Sequence, residues 1–465
     1  MPSRSRSTQS TWLYRWLPDV LIFLAVLVIC VPIVEALMGH QGSRMAFTAA
    51  ITDGQTLVVD RWKYLLTVDF ALRDGQMLSD KAPGQPFLMV PFYLIGKAIG
   101  LPPILPDLIK PTYFGDRMLW WLSTWSSAIP AAILAVLMRR VSARITGDNQ
   151  AGLVAATTMT FTTLLFPFAN LLFGHMLAAC LVYAAWVVAD GGTDTPETIS
   201  PGRLAWAGGL AGLAVLVEYT AAIVVIALAI QLLITNARNS WGYILGGLPC
   251  LVLLGLYNWV AWGSPFSFSY SNSGTFANHH AKGLFGIQWP NPGLTLQVLV
   301  GERGLFLMTP ICLAGFFGLF LLVQTFQSRR TAVFSLVVFI AFVCVQGGWS
   351  SATAGASPGA RYVVPALPFL AIGVAQFWRW SWLSTVIFAA LGAIPMFAAV
   401  MTNPLAQPTQ PWATAFWIQR IMNGNMAWTL FHGYMADWLV MVATWIIATA
   451  LLALAWTFSP TTAYE

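Results

Sequence analysis

The stretch VVDRWKYLLTVDFALRDGQMLSDKAPG, Val58–Gly84, decides how this chain is read. It closes a region, Arg44–Gly84, that holds five acids (Asp53, Asp60, Asp69, Asp74, Asp80) and five bases (Arg44, Arg61, Lys63, Arg73, Lys81). The rest is mostly hydrocarbon-compatible. Of 465 residues, 58% are hydrophobic and only 9% charged, where a soluble protein carries about 25% charged residues. Mean hydropathy is +0.70, and the 22 Trp suit a chain with many membrane–water boundaries. These features imply an all-α polytopic membrane protein. Charges gathered beside a bilayer are costly unless solvated or paired, and they mark working sites. The stretch is therefore expected to form the floor of an active site.

Working outward, residues 1–17 carry Arg4, Arg6 and Arg15 and no acid, which places this tail in the cytoplasm. Pro18–Met38 has about the 20 apolar residues a span needs and reads as a retained signal anchor. The charged stretch then begins a first outer loop, residues 39–116. Within it Leu57–Leu72 is expected to lie on the membrane as a helix, with Asp69 and Arg73 as an i,i+4 pair. Asp74-Gly75 should end that helix, and Ser79–Gly84 should turn sharply. Phe87–Leu101 is short for a span and reads as a second juxtamembrane helix.

Further spans are expected at Arg117–Met138, Ala151–Asn170, Leu172–Asp190, Leu204–Val217, Tyr219–Thr235, Trp241–Trp262, Gly304–Thr325, Thr331–Gly347, Arg361–Phe377, Trp382–Met401 and Asp437–Trp456. With the first, the membrane domain 18–457 holds about twelve. Arg139, Arg140, Arg144, Arg203, Arg238, Arg329, Arg330 and Arg379 then fall in the cytoplasm, with the tail 458–465. Leu204–Thr235 is long for one helix and short for two. Outer loops 263–303, 348–360 and 402–436 share the side of the charged stretch. The cysteines sit in apolar runs without paired or metal-type spacing. A net charge of +6 is modest, and nothing points to nucleic acid.

Basic residues on the outer side are the informative ones, because the charge rule disfavours them there. Arg61, Lys63, Lys81, Arg303 and Arg361 call for an anion, and a lipid phosphate suits them. The competing explanation is pairing with nearby carboxylates or headgroups. Asp60 is the first choice for a general base, against a helix N-cap; Asp53 and Asp69 are the alternatives, with Asp69 favoured as a salt-bridge partner. Asp80 is placed to orient Lys81 or to bind a divalent cation. Glu218 interrupts an apolar run at an outer turn. His175 falls at an outer helix end, and Tyr362 follows Arg361. The pair His279-His280 lacks a metal-binding spacing.

At these residues the chain resembles the GT-C superfamily of membrane glycosyltransferases, such as the protein O-mannosyltransferases and the lipid A aminoarabinose transferase. Asp74–Pro91 (DGQMLSDKAPGQPFLMVP), Phe173-Gly174-His175, Gly301–Phe306 (GERGLF) and Gly359–Leu370 (GARYVVPALPFL) are similar to bacterial members. The resemblance implies a GT-C bundle with juxtamembrane helices in the first loop and a polyprenyl-phosphate sugar donor. It also implies an extracytoplasmic acceptor hydroxyl, inversion at the anomeric carbon, and Asp60 as the early catalytic Asp. Relatives often carry Asp-Glu where this chain has Asp60-Arg61, which leaves metal dependence open. The absence of a large C-terminal soluble domain argues against a full protein mannosyltransferase. The alternatives are a flippase of a lipid-linked substrate and a non-catalytic scaffold. A transporter should carry mid-membrane charges in two repeated halves, and no such pattern is present.

Overall fold

The computed structural model describes residues 5–110, 115–189, 199–410 and 412–461, with side chains from residue 16 onward. Arg4, the end of the expected span at Asp190, and the last residues of the C-terminal tail lie outside the described residues.

The chain is a bundle of helices. Among the described residues six are long and apolar enough to cross a membrane: Arg117–Thr146, Trp241–Trp262, Phe326–Gly347, Arg361–Trp380, Trp382–Val400 and Asp437–Thr457. A seventh span is counted if Pro292–Met308 and Ile311–Val323, bent by 97° to each other, act as one. Trp16–Cys30, Gly174–Ala189, Pro201–Val217 and Tyr219–Thr235 are apolar but shorter. The expected twelve is therefore not established by length and composition. Some expected spans are broken: Ala151–Asn170 becomes Asn149–Phe161 and Leu165–Asn170. Breaks leave backbone groups without helical partners, and these are tolerated at membrane depth only where protein or a cavity satisfies them.

The doubtful segment Leu204–Thr235 doubles back. Its two helices, Pro201–Val217 and Ala222–Thr235, are separated by Glu218 in extended conformation. The side chain of Asn239, beyond the second helix, donates to Ile199 O at 2.8 Å, just before the first. The two ends therefore lie together and the segment is a hairpin with Glu218 at its tip.

The same logic sorts the charges. Asp19 binds Arg139 (2.5 Å) and Arg140 (2.6 Å), Arg203 donates to Val188 O, and Arg379 donates to Thr146 O. These bases occupy the helix ends remote from Glu218, His175 and Arg361. The two ends of the bundle thus differ in chemistry, as the sequence implied.

The first loop folds differently from expectation. Its first element is a helix, Gly39–Thr52, where the sequence suggested none. The expected helix Leu57–Leu72 is not formed: Asp60–Leu65 makes a short 3-10 turn, and Ala71–Arg73 pairs antiparallel with Gln76–Leu78. Asp74 (φ 51°) and Gly75 (φ 81°) form the hairpin turn rather than a helix stop, the conformation an Asp-Gly pair favours between two short strands. The i,i+4 pair is lost with the helix, and Arg73 instead donates to Val260 O and Ala261 O. The juxtamembrane helix near Phe87–Leu101 is present as Gly84–Ala98. These pieces close over their own small core, in which Met45, Phe47, Trp62, Leu65, Met89 and Tyr93 are buried.

Two later loop segments are tied down by one side chain. Arg303 is buried, and its guanidinium donates to Ser357 O (3.1 Å), Ala406 O (3.0 Å), Gln407 O and Gln410 O. A lysine cannot reproduce that planar fork. Arg303→Lys should cost about 2–3 kcal/mol, the scale of charge-assisted hydrogen bonds lost in a buried site. A lower melting temperature in detergent, with faster proteolysis around residues 350–360, would show this; an unchanged melt would refute it.

Candidate active site

The sharp turn after the hairpin sets the site. Ser79 and Ser43 hydroxyls meet at 2.9 Å, and Ser269 donates to Asp80 O at 2.9 Å. Gly84 sits where a Cβ would lie 2.5–2.6 Å from backbone atoms of Leu216 and Val217. Only glycine lets the turn press this closely against the hairpin tip at Glu218.

A cavity of about 620 Å³ opens there. Its charged lining comes from separate parts of the chain: Arg44, Asp69, Asp80, Lys81, Glu218 and Arg361, with His40 and His175 among them. Lys81 Nζ lies 2.7 Å from Asp69 and 2.9 Å from Asp80. Arg44 lies 3.6 Å from Glu218, which also faces His175 Nδ1 at 3.4 Å outside hydrogen-bond geometry. Arg44 is 1% exposed, yet its Nε and Nη1 have no partner, and Arg361 Nε has none either. Buried guanidinium donors without partners are expensive, and a buried cation of this kind is normally satisfied by an anion.

Burial and charge tune these groups. Burial works against the Lys81 ammonium, but Asp69 and Asp80 outweigh it and raise its pKa. Burial raises the Asp80 carboxyl, only partly offset by Lys81. Burial lowers the Arg44 guanidinium, opposed chiefly by Glu218. Burial, then the charges of Lys81, Arg44 and Arg361, hold His40 well below its ordinary 6.5, so its ring stays neutral. That ring stacks on Phe173 at 4.0 Å and lies 3.9 Å from Asp69.

A pH dependence follows with a definite sign. Unfolded His40 takes up a proton below about pH 6.5, whereas the buried ring does not. Between the two values the unfolded state holds more protons, so native stability falls as pH falls, by up to about 1.4 kcal/mol per unit from this residue. His40→Phe keeps the stacking and removes the titration. Its melting temperature should drop less than the wild type's between pH 7 and pH 5; parallel curves would contradict the assignment.

The sequence-derived candidates divide. Lys81, Asp80, His175, Glu218, Arg361 and Tyr362 all line the cavity. Asp60 does not: its carboxylate accepts from Met77 N at 3.0 Å and locks the hairpin. Arg61 faces outward in an exposed pair with Asp107 at 2.7 Å, and Lys63 is exposed. Arg303 holds carbonyls as described. Asp53 is taken by Tyr93 and Lys97. Of the three aspartates weighed as a general base, Asp69 lines the cavity. Asp80 orients Lys81, and among the described residues no group of three or more His, Cys, Asp or Glu is placed to hold a metal. His40, Arg44, Tyr270 and Trp349 were not singled out. For Arg44 the available signal was a lone base at the head of the apolar run Met45–Ile51.

No family model matches the sequence, and no curated protein matches it significantly. Solved structures do match. ArnT from Cupriavidus metallidurans bound to undecaprenyl phosphate aligns at TM-score 0.51 and 13% identity, over 97% of this chain and 76% of that one. Its apo state aligns at 0.52 and 14%, over 98% and 76%. The oligosaccharyltransferase AglB from Archaeoglobus fulgidus aligns at 0.49 and 11%, over 98% and 57%. The chain thus shares the fold of ArnT over nearly its whole length.

Proposed function

We propose that this protein is a GT-C glycosyltransferase that moves a sugar from a polyprenyl phosphate to an acceptor hydroxyl. The observation that carries this is the set of incompletely partnered cations, buried Arg44 and half-buried Arg361, converging with Lys81 on one cavity. Their donors suit a phosphate, and a protein of the same fold binds undecaprenyl phosphate. The bundle end opposite the cavity carries Arg139, Arg140, Arg203 and Arg379, so by the charge rule the cavity opens outside the cytoplasm, in a cell or inner membrane.

In this reading Asp69, 15% exposed at its side chain, takes the proton from the acceptor hydroxyl. The acceptor oxygen bonds to the anomeric carbon as the carbon–oxygen bond to phosphate breaks. The lipid leaves as its phosphate, its added charge met by Lys81, Arg44 and Arg361. Attack from the side opposite the departing phosphate inverts the anomeric centre. Asp80 and Glu218 position Lys81 and Arg44.

Equilibrium binding of undecaprenyl phosphate tests the reading. The wild-type protein should bind it, and Arg361→Met should weaken binding by tenfold or more, since a charge-assisted bond contributes about 1.5–3 kcal/mol. Equal binding by both, or none by the wild type, would defeat it.

A further inference from the structure

We propose that the cavity wall made by Trp349, His279 and the stacked pair Tyr270–His280 seats the sugar of the donor lipid. The inference rests on the functional reading above and locates its sugar subsite.

The cavity has two chemically distinct sides. One carries the buried cations and their carboxylates. The other is aromatic and comes from the outer loops. Trp349 meets His279 edge-on at 4.8 Å, His280 at 5.8 Å and Tyr362 at 4.9 Å. Tyr270 and His280 stack at 4.8 Å with their planes 5° apart. All of these rings line the cavity. Aromatic faces carry partial negative charge, and the C–H groups of a pyranose ring are partly positive, so the two fit by weak C–H contacts.

The test compares binding of bare undecaprenyl phosphate with undecaprenyl phosphates carrying glucose, mannose, galactose, 4-amino-4-deoxyarabinose or galacturonic acid. At least one of these sugars should tighten wild-type binding by roughly two- to tenfold over the bare lipid, the scale of a well-placed aromatic contact. Trp349→Ala should remove that gain while leaving bare undecaprenyl phosphate binding unchanged, and Trp349→Phe should keep most of it. His279→Ala supplies the same comparison if Trp349→Ala fails to fold. No gain from any of these sugars, or equal weakening of the bare lipid by Trp349→Ala, would overturn the subsite. A wild-type protein that binds none of these lipids would overturn the functional reading, and the subsite with it.

Discussion

Asp69→Asn lowers turnover by about 10²–10⁴-fold, the range expected when a general base is removed, while lipid-phosphate binding persists. The amide keeps an oxygen for the Lys81 Nζ bond, which spans 2.7 Å in the native site, so the lysine stays in place. What disappears is a group able to accept the acceptor's proton. Asp60→Asn provides the contrast. Its side chain caps Met77 N, and an amide oxygen can do the same, so turnover should be unchanged. Initial rates for the two variants side by side decide the matter: loss at Asp60 with retention at Asp69 would reverse the assignment.

The second large effect is on stability. Lys81 is 7% exposed at its side chain and faces two carboxylates, one of them 2% exposed. Lys81→Met leaves Asp69 and Asp80 facing each other without an intervening cation. Breaking a buried pair from one side costs about 3–5 kcal/mol. Burial already raises the Asp80 pKa, and losing Lys81 removes what holds it down. A folded-state pKa above the unfolded one contributes stability at low pH that is lost as pH rises. The Lys81→Met melting temperature should therefore fall furthest below wild type at alkaline pH and recover on acidification. The double variant Lys81→Met with Asp80→Asn should regain part of the loss. A melt that is equally low at pH 5 and pH 8 would show that the pair does not behave as a buried ion pair.

How far the sequence revealed this site depends on what kind of signal each residue carried. That Arg139, Arg140, Arg203 and Arg379 share the helix ends remote from the cavity follows from composition along the chain, without knowledge of packing. Lys81, Glu218 and Arg361 were legible for the same reason, as charges where hydrophobicity or the charge rule forbids them. Asp60 and Asp69 were harder to separate. They lie nine residues apart in the same charged stretch, and the choice between them turned on whether Leu57–Leu72 was helical. The Asp74-Gly75 hairpin rearranged that stretch, sending Asp60 to a backbone amide and Asp69 to Lys81. Arg303 was misassigned because a guanidinium binding four carbonyls and one binding a phosphate leave the same trace in a sequence. His40 and Trp349 became visible only when loops distant in sequence met, which no local periodicity records.

The most direct measurement is a structure of the protein with undecaprenyl phosphate. The account predicts the phosphate within hydrogen-bond reach of Arg361, Arg44 and Lys81, with Asp69 facing its ester side. Phosphate density at the opposite end of the bundle, beside Arg139 and Arg379, or a cavity that stays empty with lipid bound elsewhere, would contradict it.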